Sequence, residues 1–342
     1  MAPDPLLKPP KSTASRRWQT WLGPLLRIPT PAIFGVCVAV ALVVAWWQGA
    51  LREVVGAIGG GDVRLLTIAA PIYVASLALL CYRWHLLVRM AQGVSNLPRA
   101  AEAFLTSVVI NYAAPIGLAV PSRAVLTKRA LGLDAHATGT IAIWEIGVDV
   151  IVLGGGSLLW LMLAQGSAGA VGDELTSAIA TYAALGGVAI ALTGIGAWWM
   201  FRKPERRAPI FSTVTRIVLA PKVRPREATL ALAVTIAYWL VQGAVLALLV
   251  SAFGIDASFV FVLGLTSLPI LVGMLSPIPG GAGIREALMY AIARLADVPG
   301  GPVIAAALVY RFALFGAIPI LYGLTRWWIH HNRNPFREAD RV

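Results

Sequence analysis

The sequence predicts an all-α, polytopic membrane helical bundle of about seven to eight spans, and three observations predict it. Of 342 residues, 58% are hydrophobic and only 13% charged, with a mean hydropathy of +0.77. Apolar runs recur along the chain at close to the roughly 20 residues a helix needs to cross hydrocarbon. The basic residues gather between these runs and at the two ends. A soluble domain could not keep that much apolar surface from water. The polar loops are also too short to fold as an independent catalytic domain. The net charge of +12 would suggest nucleic acid on a soluble protein. Here the positive-inside rule and attraction to anionic lipid account for it, so no nucleic-acid partner is expected. Cys37 and Cys81 fall in apolar segments and imply neither a disulfide framework nor a metal site.

Residues 1–30 read as a basic cytoplasmic tail (Lys8, Lys11, Arg16, Arg17, Arg27), 31–325 as a single transmembrane domain, and 326–342 as a second basic cytoplasmic tail. Pro31–Trp47 is the first span, an uncleaved signal-anchor without a small-residue cleavage site. Leu65–Leu80 is the second, running into Tyr82-Arg83-Trp84-His85. Aromatic and basic residues together mark a membrane interface, where Trp anchors and Arg snorkels. Leu97–Ala114 is weaker, carrying Arg99 and Glu102, and the chain breaks again at Pro121-Ser122-Arg123. The reading over 101–123 is therefore a discontinuous or re-entrant segment. Thr138–Ala164, Ala178–Phe201, Leu230–Phe253, Ser258–Leu275 and Pro302–Leu324 are the remaining clear spans.

The loop at 165–177 has no Lys or Arg, whereas the loop at 202–227, the arm and the tail are rich in both. That asymmetry places both termini in the cytoplasm. The seven clear spans leave the termini on opposite sides, so a broken segment supplies one more crossing, with Pro279–Val298 the better candidate.

The strongest break is Ser276-Pro277-Ile278-Pro279-Gly280-Gly281-Ala282-Gly283-Ile284-Arg285-Glu286. Proline removes backbone donors, and glycine admits conformations closed to other residues. Such backbone survives at membrane depth only inside protein or beside water. Ala287–Leu295 then reads as a short helix whose N-terminus points back at the break. Free N–H groups, the positive dipole end and Arg285 make this a site for an anionic lipid headgroup. The alternative is a tight turn at the membrane surface. Pro115…Arg123 repeats the pattern in the first half, and paired broken segments point to a transporter site at a repeat interface.

Glu145 and Asp149 share one helix face four residues apart. A carboxylate in mid-span costs roughly 2.5–3.5 kcal/mol on insertion scales, so both should face protein or water. Arg123, Arg285 and Arg311 are the candidate cations. Arg311 has three candidate partners in Glu286, Glu145 and Asp149. A buried ion-pair network, a headgroup site and a proton relay all fit two carboxylates so placed. Gly154-Gly155-Gly156, inside a span, fits close helix packing better than phosphate binding.

His85, His136 and His330-His331 have no acid at metal-ligand spacing, and neither a Walker lysine nor a nucleophile elbow is present. No cofactor or metal is expected, and an enzyme is disfavoured.

Pro-Ile-Pro-Gly-Gly-Ala-Gly-Ile-Arg-Glu at 277–286, followed by Arg311 in the next span, resembles the flippase-like lysylphosphatidylglycerol synthase transmembrane family. Glu145 and Asp149 fall where that family carries a Glu…Asp pair, and Arg83-Trp84 where it carries Arg-Trp. The resemblance covers roughly residues 35–325. Two departures stand out: 115–123 lacks the second Gly and the Glu of the family's first motif, and Ile146 replaces an Arg. The best-known members, the multiple peptide resistance factors, join this part to a soluble aminoacyl-transferase domain. The chain ends at Val342 without one, so the expectation is that it is not itself a lysyl-lipid synthase.

The resemblance implies a lipid translocator in a bacterial inner membrane. Its cargo would be an anionic phospholipid or a polyprenyl- or hopanoid-type lipid, bound at Arg123, Glu145, Asp149, Pro279, Gly280, Gly281, Gly283, Arg285, Glu286 and Arg311. The alternatives are a membrane transferase acting on a lipid-linked substrate, and an accessory subunit holding a biosynthetic enzyme. Candidate protein partners are such an enzyme or a second copy of the chain.

Overall fold

The computed structural model describes residues 30–47, 55–56, 58–113, 126, 131–133, 135–164, 215, 217–276, 281 and 283–331. All regular structure among them is helical. The principal helices are α1 (Thr30–Trp47), α2 (Val63–Gln92), α3 (Leu97–Ala113), α4 (Ala135–Ala164), α5 (Pro225–Ala252), α6 (Phe259–Leu275), α7 (Ile284–Leu295) and α8 (Gly300–His331). Four of these, α2, α4, α5 and α8, are long and apolar enough to cross a membrane, and α6 is a shorter apolar helix. The chain is a polytopic, all-α membrane bundle among the described residues. The span at 178–201, the loops around it, both tails beyond these limits and the 114–123 break lie outside the described residues.

The helices α2 and α5 form the centre of the bundle. α2 packs on α3, α4, α5 and α8, and α5 also meets α4, α6 and α8. The two are antiparallel and joined at both ends. At one end Asp62 caps α2 by accepting from the Arg64 N–H at 2.8 Å, and its own N–H donates to the Ala252 carbonyl, also at 2.8 Å. At the other, Arg224 donates to the Met90 carbonyl at 2.7 Å, and Arg89 pairs with Glu227 at 3.2 Å. Gly93, at φ 90°, ends α2 where any side chain would strike the Arg224 guanidinium.

The helix α2 departs from expectation in length. It passes the anticipated end at Leu80 and reaches Gln92. Ala69, Ser76, Arg83 and Met90, each seven residues from the last, are all buried, which keeps one stripe turned inward along the helix. Within the 82–85 segment, Arg83 and Trp84 are packed inside the protein, 4% and 3% exposed, while Tyr82 is 40% exposed. Pro71, Pro269 and Pro319 sit inside α2, α6 and α8, which membrane bundles tolerate because neighbouring groups satisfy the freed carbonyls.

The helix α4 carries a second inward stripe through Ile141, Glu145, Asp149, Leu153, Ser157 and Trp160. Its outer face shows Ile143, Ile146 and Ile151. Ile146 thus lies among side chains suited to lipid tails. The expected close packing at 154–156 falls on one glycine: a Cβ on Gly156 would lie 3.2 Å from Ser267 Cβ of α6, while Gly154 and Gly155 face open space. On α6, Gly264 similarly admits the Trp160 indole. The last helix α8 runs on to His331, and its end is tied to α3, where Glu102 accepts from Arg326 at 3.0 Å and Tyr322 at 3.3 Å. Phe34 of α1 stacks on Tyr322 with ring centroids 3.9 Å apart.

Candidate functional site

Among the described residues, two groups of charged side chains bear on the expected site. The first joins α2, α4 and α5. Arg83 donates to Asp149 Oδ1 at 2.5 Å and stands 3.7 Å from Glu145 Oε1. Trp239 Nε1 donates to the same Asp149 oxygen at 2.9 Å. One turn along α5, the Gln242 amide donates to the Tyr238 hydroxyl at 2.9 Å. All of these except Trp239 are buried. The described cation at both carboxylates is Arg83, while Arg311 pairs with Glu286 and Arg285 lies over Tyr310; the expected pairing with Arg123 lies outside the described residues. Sequence reasoning placed Arg83 at the water boundary because of its aromatic neighbours. The seven-residue spacing of buried positions on α2 was the available signal.

Asp149 holds its place through two donors. Replacing Trp239 by phenylalanine keeps the ring and removes one of them. The expected cost is about 1.5–3 kcal/mol, the worth of a hydrogen bond to a charged group, seen as a lower unfolding midpoint of the purified protein.

The second group sits at the break. Gly281 and Gly283 take φ of 65° and 81°. At Gly281 the chain folds back on α6 so closely that a Cβ there would lie 2.6 Å from the Gly273 Cα. Gly281 is buried and Gly283 exposed. The helix α7 begins at Ile284, three residues earlier than the sequence suggested. Glu286 accepts from the Gly283 N–H at 2.7 Å and from Arg311 of α8 at 2.9 Å. Of the three candidate partners for Arg311, Glu286 is the one observed.

Arg285 points the other way. Its stem crosses Gly273, where any side chain would meet it, and its guanidinium lies over the Tyr310 ring, 5.9 Å from the centroid. It makes no ion pair among the described residues. Tyr310 packs edge-on against Tyr73, with ring centroids 5.6 Å apart. Tyr238 lies within electrostatic reach of Tyr310, Asp149 and Arg83. Pro279, Gly280, Arg123 and the side chain of Asn111 lie outside the described residues.

With this arrangement in view, comparison with known proteins is decisive on one point. A family model described as the lysylphosphatidylglycerol synthase TM region matches residues 32–323. The chain belongs to that family. No curated protein and no solved structure matches it. As a lysylphosphatidylglycerol synthase TM region, the chain is a membrane protein of a lipid-related family. The match spans both charged groups, from Arg83 to Arg311.

Proposed function

We propose that the chain is a lipid translocator of a bacterial cytoplasmic membrane, moving an anionic headgroup between leaflets while the tails stay in lipid. Both termini lie on the cytoplasmic side in this reading, as the distribution of base requires. One observation carries it: Arg285 lies at a helix break with no carboxylate paired to it among the described residues, while Arg83, Glu145, Asp149, Glu286 and Arg311 all lie in ion pairs. A guanidinium partly withdrawn from water gains most from a charged acceptor, and a phosphate suits its planar fork.

In this reading the phosphate docks on Arg285 beside 277–286. Glu286 and Arg311 hold the break in shape. Glu145 and Asp149, on α4, belong to the same proposed site. The anion is the part of the lipid that needs polar protein, since the tails are at home in the bilayer. Arg123, the first half's counterpart in sequence, belongs to the proposed site by that likeness alone and lies outside the described residues.

The test is headgroup accessibility in vesicles containing the purified full chain, with a fluorescent phosphatidylglycerol analogue quenched from outside. Wild type is expected to move it, and Arg285→Ala to slow it about ten- to hundredfold, the loss of one charge-assisted contact. The unfolding midpoint should hardly change, because Arg285 holds no ion pair among the described residues. Equal rates in the two proteins, or no movement of any anionic lipid tried, would overturn the proposal.

A further inference from the structure

The clasped ends of α2 and α5 define two sides of the bundle. Asp62 and Ala252 mark the near side, and Met90, Arg89, Arg224 and Glu227 mark the far side. The helix α8 ends on the far side, because Tyr322 and Arg326 reach Glu102 of α3, and α3 begins just past the end of α2. With 32 residues, and apolar enough to cross, α8 therefore begins on the near side. The register agrees: Tyr73 and Tyr310 pack together, and each stands about 15 Å from the start of its own helix.

The helix α6 starts directly after α5 ends, and α7 ends directly before α8 starts. Both junctions are on the near side, so the pair leaves and returns on one side. Its reach follows from length and contacts. α6 has 17 residues and α7 has 12, roughly 25 Å and 18 Å of helix against roughly 30 Å of hydrocarbon. At the turn, Arg285 lies over Tyr310, and Glu286 meets Arg311. Those two residues of α8 stand about 15–17 Å from its near end, with about 30 Å of helix still to run.

A second observation concerns the turn's own atoms. Ser276 Oγ donates to the Gly273 carbonyl at 2.9 Å, and the Gly283 N–H donates to Glu286 at 2.7 Å. Beside them Met274 and Leu275 are 37% and 59% exposed. Backbone groups closed onto the protein, with bare apolar side chains next to them, suit hydrocarbon better than bulk water.

We infer that α6 and α7 form one re-entrant hairpin, inserted from the near side, whose turn stays inside the bilayer and holds Arg285 between the headgroups of the two leaflets. The role of Arg285 as an anion site rests on the translocator reading; the hairpin does not. Pro279–Val298 then adds no crossing of its own. The termini still share a side, since α6 completes no crossing either. The first half is arranged the opposite way. α3 starts on the far side and has 17 residues, roughly 25 Å of helix. α4 starts there too, where Trp144 Nε1 donates to the Ile217 carbonyl shortly ahead of α5. Opposed insertion of two halves is the arrangement of inverted-repeat transporters.

The test uses the full chain in lipid vesicles, with Cys37 and Cys81 replaced by alanine and one spin label at a time. A label on Leu275→Cys is expected to be relaxed by oxygen and to lose access to a water-soluble nickel chelate, whereas one on Lys222→Cys is open to the chelate. Chelate access at Leu275→Cys equal to that at Lys222→Cys would place the turn at the far surface and overturn the hairpin. Should that variant fail to fold, Met274→Cys gives the same reading. Sidedness is read with an impermeant maleimide on right-side-out and inverted membrane vesicles. Asp256→Cys and Ala296→Cys are expected to react from one side and Lys222→Cys from the other; Asp256→Cys and Ala296→Cys reacting from opposite sides also overturns the hairpin.

For the site, phosphorus resonance in mixed phosphatidylcholine–phosphatidylglycerol vesicles reads the distance from the Leu275→Cys label to phosphate. Phosphatidylglycerol is expected to relax faster than phosphatidylcholine, and Arg285→Ala to abolish the difference. No difference with a deeply placed label overturns the placement of the anion at Arg285 and leaves the hairpin standing. No lipid movement by the wild type overturns the translocator reading instead.

Discussion

Arg83→Ala is expected to destabilise the protein by about 3–5 kcal/mol, the typical result of removing one partner from a buried ion pair. The residue is 4% exposed, donates to Asp149 at 2.5 Å and is the only cation paired with Glu145 and Asp149 among the described residues. Without it, Asp149 keeps only the Trp239 donor among the described residues. The damage should therefore be reversible by neutralising the two carboxylates. A triple variant, Arg83→Met with Glu145→Gln and Asp149→Asn, is expected to unfold within about 2 kcal/mol of wild type, since well-packed neutral replacements of buried pairs are often neutral or stabilising. Trp239 would still have an amide oxygen to donate to. Chemical denaturation in mild detergent, followed by helical circular dichroism, checks both. If Arg83→Ala were as stable as wild type, the guanidinium would have to reach water, as an interfacial residue does.

The other large effect is expected at Gly281. Alanine there places a methyl group 2.6 Å from the Gly273 Cα and 2.8 Å from its carbonyl oxygen, both backbone atoms that cannot rotate away. It also imposes φ of 65° on a residue with a side chain. Overpacking costs about 1–3 kcal/mol and the left-handed backbone about 1–2 more, so a loss of about 2–5 kcal/mol is expected. Gly273→Ala, on the opposite side of the same contact, meets chiefly the Arg285 stem, which can swing. Its stability cost should be smaller and its effect on lipid movement larger. The ratio of the two effects, measured on both variants, separates a packing role for this crossing from a role in placing Arg285. Equal ratios would leave only packing.

The general plan was legible because it depends on bulk quantities. An apolar run of membrane length can only be a helix in hydrocarbon, so α1, α4, α5 and α6 begin or end within five residues of the limits expected from sequence. The break at 276–283 was legible for a related reason: Pro-Gly-Gly between apolar runs cannot continue a helix. Partner identities were not. Which carboxylate meets which guanidinium depends on how far α2 extends and how its face turns, and an interfacial composition at 82–85 hid both. Arg83 was accordingly assigned to water while Arg123, Arg285 and Arg311 competed for its carboxylates. Glu102 shows the same limit. It read as a weakness in its span, whereas Tyr322 and Arg326, more than two hundred residues on, supply its hydrogen bonds.

The clasped ends of α2 and α5 bear on how such a bundle could work. One end is fixed by Asp62 and Ala252, the other by Arg224, Met90, Arg89 and Glu227. Displacing either helix by a single turn along its axis would rupture every one of these links at once. The pair is therefore held as one unit, and any sliding of helix on helix falls to those that lean against it.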